Sequence, residues 1–217
     1  MTATDLSIIS TLTVLVPIAV GIFAFKGATF FVRIFLFFFL IGFTVDVSNW
    51  YLIKIDRKDI AQTIFYIYVL IEPIWLTFFT GRSLQIKIRW LIVVELILFF
   101  FWIIAHINLQ ILNWLNPTFT DTFSMILSMF ISALSGYALL RFSQKPDTML
   151  YRSEFWFLLA IFIYCFTTFF LNEYILSELL HKIWYLHNTM NIISYFIFAD
   201  GFYVSISKRK LIEKERI

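Results

Sequence analysis

Seven apolar segments, each about 20 residues long, constrain the fold of this chain more than any other feature of its sequence. A helix of that length crosses a hydrocarbon core about 30 Å thick. The composition agrees, because 61% of the residues are hydrophobic and only 14% are charged. The sequence therefore predicts an all-α polytopic membrane protein with seven transmembrane helices. The segments are Leu6 to Phe25, Thr29 to Ile53, Ile60 to Thr80, Trp90 to Ile107, Asp121 to Phe142, Phe155 to Ile175 and Ile183 to Tyr203.

The chain divides into a seven-helix transmembrane domain over residues 1–207 and a short, highly charged tail over 208–217. The first segment contains Pro17 and lacks the basic start and small-residue cleavage site of a signal peptide, so we expect a retained helix. Cys165 is the only cysteine, which excludes a disulfide framework and a thiolate metal cluster. We expect this thiol to serve packing.

The basic residues predict the orientation of the bundle. With the amino terminus outside, 13 of the 17 Lys and Arg residues fall on the inner side and 4 on the outer side. Positive residues accumulate on the cytoplasmic side of membrane proteins, so the tail is predicted to be cytoplasmic. The net charge of +3 then reflects topology, and no nucleic-acid partner is expected. The outer four are Lys54, Arg57, Lys58 and Lys182.

The last segment is apolar but carries a polar face. His187, Asn188, Asn191 and Tyr195 are spaced by three and four residues, so most of them point the same way on a helix. Such groups facing lipid would leave several kcal/mol of polarity unsatisfied. This face therefore needs a polar or hydrated partner inside the protein.

Other segments place polar groups at similar depths. Asp46 and Asn49 share a face of the second segment, Glu72 lies near the middle of the third, and Tyr164 is central in the sixth. Buried ionisable residues in a membrane are costly and by default mark a binding site, a proton path or a substrate pathway. The sequence predicts a polar pocket that opens to the outside, closes near Glu72 and binds an unidentified small ligand.

Each of these residues also has a structural interpretation. Asp46 and Asn49 would serve equally as hydrogen-bonding contacts between helices, and Pro73 next to Glu72 would produce a kink. The polar face of the last segment is open to the same alternative, a purely structural hydrogen-bond network. For Glu95 we expect a structural ion pair with Arg33 or Arg89.

The sequence predicts no cofactor. Retinal would need a lysine in the middle of the seventh helix, but Lys182 and Lys208 lie at the two ends of that helix. A b-type haem would need two facing histidines at one depth, and His106 is too shallow to pair with His187. Neither an H-E-x-x-H zinc motif nor a G-x-S-x-G nucleophile elbow is present.

Three stretches, YVLIEPIW, SEFWFLLAIFIY and IWYLHNTMNIISYF, resemble the recurring signatures of a bacterial family of small seven-helix membrane proteins without an assigned reaction. That family has a glutamate after an aromatic-rich start of helix three and an HN-x-x-N pattern in helix seven. The resemblance covers about half the chain and implies the seven-helix architecture and a location in the bacterial cytoplasmic membrane. The positions it reaches are Glu72, Trp156, Tyr164, His187, Asn188 and Asn191.

Three function classes fit these observations. The first is a receptor-like or sensory protein whose pocket changes helix packing and signals to a cytoplasmic or membrane partner. The second is a small-solute or proton-coupled transporter, disfavoured because the first and last three segments show no visible repeat. The third, with the least support, is an intramembrane enzyme acting on lipid with Glu72 and His187 as an acid/base pair.

Overall fold

The computed structural model describes residues 3–111, 118–144, 149–174 and 180–214. Within these ranges the chain is helical with short connections and contains no strand. The all-α prediction is therefore confirmed. The helices are α1 (Ala3–Thr13), α2 (Leu15–Ala24), α3 (Phe30–Lys54), α4 (Lys58–Ser83), α5 (Ile88–Ile111), α6 (Thr118–Ser143), α7 (Ser153–Tyr174) and α8 (Leu180–Lys214).

Six helices in the described part of the chain are long and apolar enough to cross a membrane. This is the architecture of a helical integral membrane protein. The fourth predicted segment, Trp90 to Ile107, lies within α5, a helix of 24 residues. The six spans are Asp5–Ala24, Phe30–Lys54, Lys58–Ser83, Ser124–Ser143, Ser153–Phe170 and Tyr185–Ser207.

The first span is a broken helix, and Pro17 explains the break. Proline has no backbone N–H, so Pro17 cannot donate to the carbonyl of Thr13, the residue at which α1 ends. The Thr13 hydroxyl instead donates to the Ile9 carbonyl at 2.7 Å. The chain resumes as α2 at Leu15, so the two helices form one interrupted span.

Helices α3 and α4 end in the same hydrogen-bonded turn. After α3, the Arg57 N–H donates to the Leu52 carbonyl at 2.8 Å, and after α4 the Ile86 N–H donates to the Gly81 carbonyl at 3.0 Å. Both turns have the Schellman pattern, which requires a residue with positive φ just past the helix. Asp56 (φ 59°) and Gln85 (φ 62°) occupy these positions instead of glycine.

The six spans form a closed ring. Going round it, the interrupted helix α1–α2 packs against α3, α3 against α4, α4 against α6, α6 against α7, α7 against α8, and α8 against α1 and α2. Helix α5 packs chiefly against α4. We call the end where α2, α4, α6 and α8 finish the tail end, and the opposite end the head end.

Aromatic side chains fill the tail half of the ring. Phe35 of α3 is fully buried and contacts Phe79 of α4 edge-on, with ring centroids 4.4 Å apart. Phe157 of α7 and Phe202 of α8 are also fully buried, with centroids 5.1 Å apart. Gly201 allows this packing, since a Cβ there would lie 2.7 Å from Phe157 Cε1. The interior is thus closed by packed rings at this level.

The charged segment that follows the last span continues the helix. The apolar span ends at Ser207, and α8 runs on to Lys214 without a break. The predicted tail is therefore helical over 208–214. Asp200 lies inside α8 and is exposed.

Candidate functional site

Polar side chains gather in the head half of the ring, next to the aromatic core. Antiparallel helices α3 and α8 meet at Phe39 and Phe198, whose ring centroids are 4.8 Å apart. Because both helices rise about 1.5 Å per residue, this contact puts Asp46 level with Asn191 and Asn49 level with Asn188. The polar positions predicted on α3 and on α8 therefore occupy the same levels of the bundle.

The centre of this half is a contact between α4 and α7. The Tyr164 hydroxyl of α7 donates a hydrogen bond to the Glu72 carboxyl of α4. Both residues are half-buried. A hydrogen bond to a buried carboxyl is among the stronger side-chain interactions in proteins. It ties together two helices that have few other contacts at the backbone level.

Three more side chains surround this pair. Asp46 of α3 interacts electrostatically with Glu72, and Tyr195 of α8 interacts with both carboxyls. Tyr68, one turn before Glu72 on α4, interacts with the same two carboxyls and with Tyr195. We call these five residues from four helices the head-end cluster.

Gly42 of α3 makes room for Tyr68. A Cβ at this position would lie 2.9 Å from the Tyr68 hydroxyl oxygen, closer than side-chain atoms normally approach. The Tyr68 ring stacks on Phe38, with centroids 6.4 Å apart, and Phe38 in turn stacks on Trp75. Tyr68 thus connects the head-end cluster to the aromatic core.

The polar face of α8 continues from the cluster toward the head end. Asn191 is one turn and His187 two turns beyond Tyr195, and Asn191 Nδ2 lies 3.1 Å from His187 Nε2. Asn188 is buried with 4% of its surface exposed. On α3, the buried Oδ1 atom of Asn49 has no hydrogen-bond partner among the described residues. An unsatisfied buried amide oxygen is costly, and it is a position that a ligand or water donor would satisfy.

The structure brings the predicted residues together in two groups. Glu72, Asp46, Tyr164 and Tyr195 share the head-end cluster, while His187, Asn188 and Asn191 extend it along α8. Their role in binding stays a prediction. Tyr68 was missed by the sequence analysis, although its position four residues before Glu72, on the same helical face, was a usable signal.

The expectation for Glu95 is wrong. Neither Arg33 nor Arg89 forms an ion pair with it, and both carboxyl oxygens are buried without a hydrogen-bond partner in the described part of the chain. Glu95 lies one turn beyond Leu91, which packs against Gly81, so it faces α4. Arg33 instead donates through Nε to the Ala28 carbonyl at 3.2 Å. The side chain of His106, rejected above as a haem ligand, is not among those that the structure describes.

Chemically, the head-end cluster is acidic and rich in hydroxyl groups. It combines two carboxyls with three phenols, and within the described part of the chain no basic side chain acts on either carboxyl. Among the described residues, no three His, Cys, Asp or Glu side chains are grouped closely enough to hold a metal ion. The cluster is therefore suited to hydrogen bonding, to attraction of positive charge and to holding a proton.

No protein-family model, curated protein or solved structure matches this chain. The resemblance to a bacterial seven-helix family consequently stays a prediction.

Proposed function

We propose that this chain is a receptor-like or sensory membrane protein that binds a small polar ligand in the head half of its bundle. The head-end cluster supports this function, because it joins side chains from α3, α4, α7 and α8 next to a core closed by packed aromatic rings. A ligand that bridges these helices would change how they pack against one another. A transmembrane receptor needs such a coupling between a site and helix positions.

The orientation predicted from the basic residues completes this proposal. With the amino terminus outside, the head end faces the exterior of a bacterial cytoplasmic membrane and the tail end faces the cytoplasm. The ligand then reaches the site from outside. The helical extension of α8 over 208–214 is rich in charged residues, a composition that would suit a cytoplasmic or membrane signalling partner.

The charge of the cluster indicates the kind of ligand. Two carboxyls without a basic neighbour among the described residues attract a positively charged group, and the phenols of Tyr68 and Tyr164 supply hydroxyls and aromatic faces. Ammonium groups bind to such combinations through charge-assisted hydrogen bonds and cation–π contacts. We therefore propose a small amine or another polar cation as the ligand.

Native mass spectrometry of gently purified protein tests this function. We expect a stoichiometric small molecule on the wild type, lost in Glu72→Gln and weakened in His187→Ala. Glu95→Gln is the matched control, since it removes a carboxyl from the same membrane domain but outside the cluster. If no molecule co-purifies, thermal unfolding with a panel of small amines replaces this readout. A molecule or thermal shift unaffected by Glu72→Gln would contradict the assignment, as would the absence of both.

A proton-coupled transporter is the second candidate. Asp46 and Glu72 interact electrostatically and have no basic partner in the part of the chain that the structure describes, an arrangement that favours one shared proton. Transport would appear in liposomes as amine uptake driven by a proton gradient and abolished by Asp46→Asn. A receptor would bind the same amine without moving it.

A further inference from the structure

A second site lies at the tail end, separated from the head-end cluster by the aromatic core. It is a cavity of about 170 Å³ between the ends of α4 and α6 and the beginning of α7. One water occupies about 30 Å³ in the liquid, so the cavity has room for a group of several heavy atoms. We call it the tail-end cavity; its lining includes Ser83, Gln85, Arg141, Phe142, Gln144 and Arg152.

Two arginines give this cavity its charge. Arg141 Nη1 donates to the Leu84 carbonyl at 3.3 Å, which holds the side chain between α6 and α4. The Arg152 guanidinium lies over the Phe142 ring, 4.9 Å from its centroid. Each guanidinium has five N–H donors, so these contacts leave donors for a further partner.

The acidic side chains that the structure describes do not neutralise this pair. In the described ranges, no carboxylate lies within 4.0 Å of Arg141, and the one near Arg152 is Glu154, at a long 3.9 Å from Nε. Partly exposed ion pairs of this length contribute little. Counted over the described residues, Arg141, Arg152 and Glu154 leave about one uncompensated positive charge at the cavity, beside the neutral donors of Gln85 and Gln144.

We propose that the tail-end cavity binds a phosphate-bearing anion, with Arg141 and Arg152 as the ligands of the phosphate oxygens. Arginine forks match phosphate geometry, and basic pockets between transmembrane helices are suited to anionic headgroups. The cavity lies where the helices leave the membrane, so a phospholipid headgroup and a soluble phosphate ester share the same access.

The test compares lipids and variants on the full chain purified in a mild detergent. Phosphatidylglycerol and phosphatidylcholine are titrated separately, and native mass spectrometry counts the bound molecules. We expect phosphatidylglycerol to bind more tightly than phosphatidylcholine, and the double variant Arg141→Gln/Arg152→Gln to weaken its binding about tenfold or more. Two results would overturn the proposal if glycerol 3-phosphate also fails to bind. They are equal binding of the two lipids, and a double variant that binds phosphatidylglycerol like the wild type.

Arg33→Gln is the matched control. Arg33 also donates to a main-chain carbonyl and lies over an aromatic ring, Phe25, at the same end of the bundle, but it does not line the cavity. We expect this variant to bind phosphatidylglycerol like the wild type. An equal loss of phosphatidylglycerol binding in Arg33→Gln would overturn the site. It would show that binding depends on positive charge anywhere at the tail end and not on the cavity. Thermal unfolding of each variant, with Arg141→Lys/Arg152→Lys as the charge-retaining form, separates lost binding from lost folding.

A soluble arm identifies the source of the phosphate. Glycerol 3-phosphate, which has the charged group without acyl chains, is added to lipid-free protein. Saturable binding that the double variant loses would support the site with a soluble ester as its ligand. Binding of phosphatidylglycerol alone would support the site with a lipid as its ligand. If neither binds in an Arg141- and Arg152-dependent way, the proposal is wrong.

Discussion

Phe35 of α3 lies flat against Phe157 of α7, with ring centroids 4.8 Å apart and planes 10° from parallel. This contact joins helices on opposite sides of the ring, since α3 and α7 are not neighbours in it. The two phenyl groups therefore fill space at the centre of the helix bundle that would otherwise be empty.

Loss of this contact should weaken the whole bundle. We expect Phe35→Ala to destabilise the protein by about 3–5 kcal/mol, because it removes a fully buried ring and leaves a cavity. Denaturation in mixed detergent and SDS, followed by far-ultraviolet circular dichroism, measures this change. Phe37→Ala is the control, since Phe37 on the same helix is 52% exposed. Equal effects of the two substitutions would contradict the core described above.

The Glu72–Tyr164 hydrogen bond should appear as a coupling energy. In a double-mutant cycle of Glu72→Gln and Tyr164→Phe, we expect the two effects on the free energy of unfolding to be non-additive by about 1.5–3 kcal/mol. Tyr137→Phe, at an exposed position on α6, should show no coupling with Glu72→Gln. Additive effects at Tyr164 would mean that the hydrogen bond is absent in the folded protein.

Glu95 should be a destabilising residue. Both of its carboxyl oxygens are buried without a partner in the described structure, and an unsatisfied buried polar group costs about 1–3 kcal/mol. We therefore expect Glu95→Met, similar in length and apolar, to raise the unfolding temperature. Glu154→Met is the control at a partly exposed ion pair and should change stability little. A marked loss of stability in Glu95→Met would show that the carboxyl has a partner.

Backbone strain at the end of α4 can be relieved. Gln85 has φ of 62°, a left-handed conformation that costs a residue with a Cβ more than glycine. We expect Gln85→Gly to stabilise the protein by a few tenths of a kcal/mol up to about 1 kcal/mol. Asp56→Gly, at the equivalent turn after α3, should gain less because aspartate tolerates this conformation better. Thermal unfolding measures both, and a loss of stability in Gln85→Gly would indicate that its side chain matters more than its backbone.

The sequence predicted the helices well because each one is specified locally. The length of an apolar segment determines whether it can span a membrane, and Pro17 breaks the first span because it lacks a donor. Glu72, Tyr164 and Tyr195 could be selected for a site because polar groups stand out in apolar surroundings. In each case, the relevant information lies within one helical segment.

Relations between helices could not be predicted in the same way. The order of the helices round the ring depends on how their side chains pack, for example Phe157 against the backbone at Gly201. Glu95 is expected to pair with an arginine because the two side chains lie at similar depths in the membrane. Depth, however, does not determine which face of a helix points toward its neighbour. Tyr68 was passed over because a single tyrosine among aromatic neighbours is ordinary until Gly42 is known to face it.

The closure of the ring by α8 against α1 and α2 has a consequence for biosynthesis. The ribosome delivers α3 and α4 to the membrane long before α7 and α8, so Asp46 and Glu72 enter the bilayer while Tyr164 and Tyr195 are still untranslated. Until its last helix is inserted, the nascent chain must keep these two carboxyls out of contact with lipid without their tyrosine neighbours. An early release, or a truncation before α8, would leave them to the insertion machinery and to quality-control proteases.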